Sequence, residues 1–168
     1  MATTTPQEHA MTTVQPRMTN PAQVLPDAFK GIGSLLTAVA KGGVPTATLE
    51  LVALRASQLN GCSACVQGHL EALQGAGESV DRIVGVATWG ESPYYDEAER
   101  AALALTDALT RLADRHDPVP DELWREVTKH YDEKQVSALI LQIATLNLFN
   151  RINVTVRERA DQPSWKQG

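Results

Sequence analysis

Apolar residues recur along most of the chain at spacings of three and four, which is the period of an amphipathic helix. After residue 20, no segment alternates apolar and polar residues for long enough to predict a strand. The pattern predicts helices at about 26–41, 45–60, 62–74, 79–88, 96–116, 120–131 and 132–160. The sequence therefore predicts an all-α, single-domain bundle of about seven helices.

Start and stop signals support these boundaries. Pro45 stands in the first turn of the second helix, and Asn60-Gly61 supplies its C-terminal stop. The helix at 96–116 is acidic at its start and basic at its end, which matches the helix dipole. The last helix begins with the sequence DEKQ, which is a good start signal.

The chain length of 168 residues fits one domain. Residues 1–20 are rich in Thr, Pro and Gln and contain little to bury, so we expect a mobile tail or an arm laid on a partner subunit. The helical domain is predicted to span residues 21–168.

Composition narrows the function classes. Hydrophobic residues make up 43% of the chain and charged residues 21%, which is typical of a soluble globular protein. A net charge of -5 argues against nucleic-acid binding, which needs clustered Lys and Arg. No apolar run reaches the ~20 residues of a membrane span, and the N-terminus lacks the features of a secretory signal. We therefore expect a cytoplasmic protein that binds neither nucleic acid nor membranes.

The only two cysteines, Cys62 and Cys65, lie in the first turn of the third predicted helix. Free backbone N–H groups and the helix dipole stabilise a thiolate at this position. Cys62 precedes Cys65 by three residues and His69 follows it by four, so all three share one helix face. His69 can therefore accept the proton of Cys65, as in nucleophilic Cys–His pairs.

Glu50 is the second unusual residue, because it interrupts the apolar run TLELVAL of the preceding helix. A carboxylate among apolar residues is costly to bury unless it has a partner. If this helix packs on the third one, Glu50 can orient His69 directly or through a water molecule. Arg55 is another possible partner, although a spacing of five residues is poor. An ordinary helix-surface glutamate is the alternative interpretation.

The cysteine pair also has alternatives to a redox function. Zinc needs four ligands, whereas Cys62, Cys65 and His69 supply three and the other histidines lie in unrelated elements. The cysteines could also be two inert buried thiols, and His69 an ordinary core or surface histidine. We expect no metal and no cofactor. The spacing alone does not decide which cysteine is the nucleophile.

Residues 50–77, ELVALRASQLNGCSACVQGHLEALQGAG, resemble the core of the carboxymuconolactone decarboxylase family in its alkylhydroperoxidase D branch. The shared pattern has Glu50 twelve residues before the first cysteine, then LR, SQ and NGC, the second cysteine, and a histidine four residues later. More loosely, LNLFNRINVTVR in the last helix resembles the NAWNR segment of the family. The resemblance covers about 21–160.

The resemblance implies an all-helical fold, assembly into trimers or hexamers, and thiol peroxidase activity. It implies that Cys65 attacks an organic hydroperoxide or hydrogen peroxide and that Cys62 resolves the product. It also implies that Glu50 and His69 form the proton relay that ionises Cys65. The best-described branch of the family has a further histidine between the cysteines, and Ala64 in that position removes one proton carrier.

A disulfide between residues three apart at a helix start is expected to be exposed and reducible. Turnover then needs an external dithiol, for which the family precedent is a lipoyl-bearing protein or another small carrier such as a thioredoxin-like protein.

Two other functions remain possible from the sequence. One is a lyase or hydrolase acting on a small lactone acid, as the family name suggests, although that branch does not depend on a CxxC pair. The other is a non-catalytic oligomeric module. The last helix carries apolar residues on more than one face, so we expect a second chain to cover part of it.

Overall fold

Helices are the only regular elements in the computed structural model, which describes residues 14–166 apart from the side chain of Asp114. The α-helices are α1 (Pro21–Val24), α2 (Pro26–Ala40), α3 (Thr46–Leu59), α4 (Ser63–Gly75), α5 (Val80–Gly85), α6 (Glu97–Thr110), α7 (Asp121–His130) and α8 (Glu133–Val156). Single turns of 3-10 helix lie at Val86–Thr88, Leu112–Asp114 and Ser164–Lys166. The predicted all-α class is confirmed, and the one-turn helix α1 is the addition that the apolar pattern did not predict.

Helix α3 lies at the centre of the bundle, in contact with α4, α6 and α8. Its consecutive residues Leu51, Val52, Ala53 and Leu54 are each at most 1% exposed. A helix that is apolar around its circumference is one that its neighbours enclose. A polar side chain on the enclosed part of α3 is therefore stabilised when it has a partner on a surrounding helix.

Within residues 14–166, three apolar clusters include residues of α3, and the two larger ones form most of the core. The largest one joins α2, α3, α6, α7 and α8 through Val39, Val44, Leu49, Val52, Ala101, Ala102, Leu105, Val127, Tyr131, Val136, Ala138, Leu139 and Ile143. The second lies on the α4 and α5 side and contains Leu51, Leu54, Leu73, Ile83, Val86, Tyr95 and Leu103. Each large aliphatic side chain buried in this way contributes about 1.5–3 kcal/mol to folding, so these clusters fix the position of α4 relative to α3.

Capping boxes begin the two helices whose starts had the clearest sequence signals. Asp132 accepts a hydrogen bond from the backbone N–H of Gln135 at 2.8 Å, and the Gln135 side chain accepts one from the backbone N–H of Asp132 at 3.0 Å. Asp96 and Glu99 form the same reciprocal pair before α6. Each box satisfies two backbone donors that a helix start leaves free, which confirms both predicted starts.

Two helix ends were predicted too far along the chain. The helix predicted to reach residue 116 ends at Thr110, because the exposed residues that follow it make no core contact that would favour extension. The last helix ends at Val156 rather than near residue 160, because Arg157 adopts a left-handed conformation with φ of 57°. Its N–H bonds back to the carbonyls of Asn153 and Val154, a common way for a helix to stop.

Among the described helices, only α8 is long and apolar enough to cross a membrane by length and composition, with a mean hydropathy of 1.2. In this fold α8 packs against α2, α3 and α6, as the core helix of a bundle does. Its apolar residues therefore serve helix packing on several sides.

The segment before α1 follows the C-terminal end of α8. The backbone N–H of Arg17 donates to the Val156 carbonyl at 2.8 Å, and its guanidinium donates to the Thr155 carbonyl at 3.0 Å. Asn20 then caps α1. Residues 1–13 of the predicted tail lie outside the described residues.

Substitution of Gly42 by alanine tests the close approach of α2 and α8. A methyl group at this position would collide with the Ala138 side chain and lie 2.9 Å from the Val39 carbonyl oxygen. We expect Gly42→Ala to lower the free energy of unfolding by about 1–3 kcal/mol, because neither neighbour is a flexible side chain that can move aside. Denaturant unfolding measures the change.

Gly33→Ala is the matched control, since Gly33 lies within α2 and no atom comes within 4 Å of the added methyl group. We expect it to raise the free energy of unfolding by about 0.5–1 kcal/mol, through the better helix propensity of alanine. Equal stability of the two variants would contradict the described packing of α2 on α8.

Candidate active site

A tight turn brings the two cysteines back against α3. Gly61 has a φ of 66°, in the left-handed region that glycine adopts without strain. The backbone N–H of Cys62 then donates to the Ser57 carbonyl at 3.0 Å. Cys62 is the N-cap of α4 and Cys65 lies in its first turn. The turn therefore places both sulfurs at the positive end of a helix that packs along α3.

Cys62 and Cys65 are joined by a disulfide, with their Cα atoms 5.3 Å apart. The residues are only 2% and 5% exposed, so the expectation of an exposed disulfide was wrong. The reason lies in the tertiary structure. Residues 14–15 and the C-terminal end of α8 stand beside the start of α4 and shield it from solvent.

A groove of about 540 Å³ nevertheless reaches the disulfide. Its lining residues come from the α3–α4 turn, the N-terminal segment and the end of α8: Val14, Gln15, Gly61, Cys62, Ser63, Ala64, Asn153, Val154, Arg157 and Glu158. Cys62 lines this groove, whereas Cys65 is not among its lining residues. Ser63 and Ala64 also line the groove, which therefore runs along the first turn of α4.

Glu50 and His69 are in direct contact across the α3–α4 interface. His69 Nδ1 lies 2.8 Å from Glu50 Oε2, and the two side chains are 21% and 25% exposed. An ionised Glu50 accepts the Nδ1–H of His69, which leaves Nε2 as the ring nitrogen able to accept a proton. The structure thus brings together the pair that the sequence suggested, and the role of the pair as a relay stays a prediction.

Arg55 does not pair with Glu50, so that alternative was wrong. Its guanidinium forms a two-pronged contact with Asp107 on α6, at 2.6 and 3.0 Å. It also donates to the Ala87 carbonyl at 3.0 Å. The spacing of five residues had already placed Arg55 on a different face of α3 from Glu50, and the α6 carboxylate offers it better geometry.

A row of asparagines on α8 was not predicted as part of the site. Asn150 donates to the Ser57 hydroxyl at 3.0 Å, and Asn60 donates to Asn147 and Asn150 at 3.1 and 2.8 Å. One turn further along, Asn153 Nδ2 donates to Cys65 Sγ at 3.4 Å. The signal in the sequence was the spacing of three between asparagines on an otherwise apolar helix, which places them on one side.

In the described part of the chain, no group of three or more His, Cys, Asp or Glu residues is placed to hold a metal ion. The two cysteines are bonded to each other, and His69 is directed to Glu50. The zinc alternative thus has no geometry that supports it.

Comparison with known proteins places this site in a family. Residues 26–108, which include Glu50, both cysteines and His69, match the model of the Carboxymuconolactone decarboxylase family. The chain is 33% identical over 138 residues to the uncharacterized protein YdfG of Bacillus subtilis (strain 168), covering 82% of this chain and 92% of YdfG. It is 30% identical over 105 residues to the uncharacterized protein YnjA of Escherichia coli (strain K12), covering 62% and 56%.

Solved structures share the fold. A protein of unknown function from Agrobacterium tumefaciens, ATU0492, proposed to be the antioxidant defence protein AhpD, superposes with a TM-score of 0.79 at 33% identity, covering 86% of this chain and 97% of that one. A variant of the debrominase Bmp8, in complex with 2,3,4-tribromopyrrole, gives a TM-score of 0.73 at 22% identity, covering 82% and 73%. The similarity to this Bmp8 complex is one of fold alone.

Glu50→Gln tests the electrostatic contribution of the Glu50–His69 pair. The amide can still accept the Nδ1–H, but it lacks the negative charge that stabilises a protonated imidazole. We expect alkylation of the reduced protein by iodoacetamide at neutral pH to slow by about tenfold, the lower end of the range for removing such a partner.

Glu126→Gln is the matched control, because Glu126 also contacts a histidine, His130 Nε2 at 2.9 Å, on the distant helix α7. It should leave thiol alkylation at the wild-type rate. Equal rates in wild type and Glu50→Gln would remove Glu50 from the relay.

Proposed function

Because the chain belongs to the carboxymuconolactone decarboxylase family, we propose that it is a thiol-dependent peroxidase that reduces hydroperoxides at Cys62 and Cys65. The observation that carries this proposal is the Cys62–Cys65 disulfide at the start of α4, one turn from a histidine held by a carboxylate. A pair of cysteines placed to close a disulfide, with a base beside it, suits a two-electron reduction.

In the first half-reaction, His69 accepts the thiol proton of Cys65 through Nε2 while Glu50 stabilises the resulting imidazolium. The Cys65 thiolate attacks one peroxide oxygen, the O–O bond breaks, and the leaving alkoxide takes the proton from His69 to become an alcohol. Cys65 is left as a sulfenic acid. The Cys62 thiol then attacks that sulfur, water leaves, and the disulfide forms.

In the second half-reaction, an external dithiol returns the disulfide to two thiols. Its thiolate attacks Cys62, the sulfur that lines the groove, and the Cys65 thiolate leaves. The second thiol of the carrier then displaces Cys62 and closes a disulfide on the carrier. A lipoyl group or a thioredoxin-like protein supplies such a dithiol, and the cycle needs no metal or cofactor. The cytoplasm, where such reductants operate, is the expected location.

The groove gives small molecules a route to the cysteine pair at Cys62, which is bonded to the buried Cys65. The debrominase Bmp8 shares the fold, so the residues of the site, rather than the fold, are the basis for the proposed activity.

We also propose that the active form is a homo-oligomer, a trimer or hexamer. Large apolar side chains remain exposed around α1 and the start of α2, at Val24, Leu25 and Phe29, and on α8, at Ile140, Leu141 and Leu148. Leu25 and Leu148 line an apolar groove of about 360 Å³ between α1, α2 and α8. An exposed apolar surface of this kind is typical of a protein–protein interface.

The peroxidase proposal is tested by treating the reduced protein with one equivalent of an organic hydroperoxide and mapping the products by mass spectrometry. We expect a Cys62–Cys65 disulfide in the wild type. In Cys62→Ser we expect a sulfenic acid or higher oxide at Cys65, because the resolving thiol is absent.

Cys65→Ser is the decisive variant of this series, and we expect it to lose peroxide consumption. Consumption at the wild-type rate in Cys65→Ser would contradict the assignment of the nucleophile. Thiols that stay unmodified in every variant would instead favour a lactone-acid lyase or a non-catalytic module.

The oligomer is tested by light scattering on the wild type and on Leu25→Glu, which places a charge in the apolar groove. We expect a trimeric or hexameric mass for the wild type and a lower mass for the variant, because burying an unpaired charge is costly. Val84→Glu is the control, since Val84 is similarly exposed but lies on α5. A monomeric wild type would contradict the proposal.

A further inference from the structure

Asn153 contacts the sulfur of Cys65 from the neighbouring helix α8. It lies on α8, is only 5% exposed, and its Nδ2 donates to Cys65 Sγ at 3.4 Å. Burial of a polar amide is costly unless its groups are bonded, and here one of its bonds goes to a sulfur. Residue 153 lies outside the segment that matches the family model.

The orientation of this amide is fixed by a chain of hydrogen bonds that begins at α1. The Oδ1 of Asn20 accepts from the backbone N–H of Ala22 at 3.1 Å, which leaves the Nδ2 of Asn20 as a donor. That donor is directed to the Oδ1 of Asn153 at 3.0 Å. Flipping either amide would place two like groups against each other, so Nδ2 of Asn153 must face the sulfur.

We propose that Asn153 is a catalytic hydrogen-bond donor that stabilises the Cys65 thiolate, and that Asn20 is a positioning residue that holds the Asn153 amide in the donating orientation. This inference rests on the proposed function, because it takes Cys65 as the sulfur that carries the charge. A fixed N–H group directed at an atom that becomes negative acts in the manner of an oxyanion hole.

The same donor serves both half-reactions. Toward peroxide, it increases the fraction of Cys65 present as the attacking thiolate. Toward the dithiol carrier, attack on Cys62 forms a mixed disulfide and breaks the Cys62–Cys65 bond. The electron pair of that bond stays on Cys65, where Asn153 receives it, and a leaving thiol with a lower pKa leaves faster.

Charged and titratable groups approach the cysteine pair from three directions. His69 lies one turn along α4, with Glu50 behind it on α3, while Arg157 and Glu158 line the groove beside Cys62. None of the four is substituted in the variants below, so a difference in the pKa of the Cys65 thiol among the Asn153 and Asn150 variants reports on residue 153. Asn20 Nδ2 also donates to Glu158 Oε2 at 3.4 Å, and Asn20→Ser removes that contact together with the one to Asn153.

The test is a thiol titration in the Cys62→Ser background, where Cys65 is the only thiol. The ultraviolet absorbance of the thiolate and the iodoacetamide alkylation rate are followed against pH. We expect Asn153→Ala to raise the pKa of the Cys65 thiol by about one pH unit, as expected for losing a hydrogen bond to a charged group. Asn153→Asp keeps the shape and the bond from Asn20 but presents only oxygen to the sulfur, and it should raise the pKa further.

The variant Asn20→Ser distinguishes the role of Asn20 in positioning the Asn153 amide from its role as the N-cap of α1. Serine still caps α1 and is neutral, but it cannot donate to Asn153 Oδ1 as the amide does. We expect the pKa of the Cys65 thiol to rise by less than in Asn153→Ala, because a free Asn153 amide still donates part of the time. An unchanged pKa in Asn20→Ser would reduce Asn20 to a helix cap and overturn its positioning role.

Asn150→Ala is the matched control, because it also removes a buried asparagine side chain from α8. Asn150 lies one turn before Asn153 on α8, is also buried, with 1% exposed against 5%, and bonds to Ser57 rather than to a cysteine. It should lower stability without changing the pKa of the Cys65 thiol. A pKa that is equal in wild type and in both Asn153 variants, measured in folded protein, would overturn the proposal.

A second readout uses the oxidised protein with both cysteines present. Reduction of the disulfide by dithiothreitol should slow by about threefold in Asn153→Ala, because the leaving thiol is less acidic. Neither the titration nor the reduction uses peroxide. If the pKa and the reduction rate do not change but peroxide is still consumed, only the role of Asn153 is rejected. If the pKa shifts but no peroxide is consumed, only the peroxidase proposal is rejected.

Discussion

The enclosure of α3 is the constraint on which the rest of the structure depends. Because other helices surround α3, three of its polar side chains are paired with groups on three different helices. Glu50 pairs with His69 on α4, Arg55 with Asp107 on α6, and Ser57 with Asn150 on α8. These directional contacts fix the rotation of α3, and the short turn at Gly61 then sets where α4 and its cysteines begin.

Helix α8 supplies the complementary surface. Its apolar residues pack against three helices, while asparagines spaced by three form a polar row that faces α3 and the start of α4. The last of these asparagines contacts Cys65, and the N-terminal segment laid along the same helix end shields the disulfide. The candidate site is thus assembled from α3, α4, α8 and the segment before α1, although the residues that the sequence predicted for it all lie within 20 positions of each other, from Glu50 to His69.

Local sequence signals were enough to predict helices α2 to α8, their order and the starts of α6 and α8, because apolar period and capping residues act within one or two turns. The Glu50–His69 contact was also foreseeable, since a carboxylate in an apolar helix needs a partner. The helix ends at Thr110 and Val156 depended on where core contacts stop, which no local pattern records. The same holds for the Arg55–Asp107 pair, whose members are 52 residues apart.

The features closest to the proposed reaction depend on tertiary structure and could not be predicted from local sequence. The cysteines are buried because distant residues cover them, and Asn153 contacts Cys65 across a separation of 88 residues. Spacing on one helix could place Cys62, Cys65 and His69 on a common face, but it could not show which sulfur faces the groove. The structure gives the two sulfurs different surroundings. Cys62 lines the groove, and Cys65 accepts a hydrogen bond from Asn153.

The most direct measurement is the stoichiometry of a single turnover. Fully reduced protein is mixed with less than one equivalent of an organic hydroperoxide, and the thiols lost and the alcohol formed are both counted. The account predicts one alcohol formed and two thiols lost for each hydroperoxide consumed, with both thiols recovered after treatment with a dithiol. Hydroperoxide that persists, or thiol loss without an equivalent amount of alcohol, would contradict it.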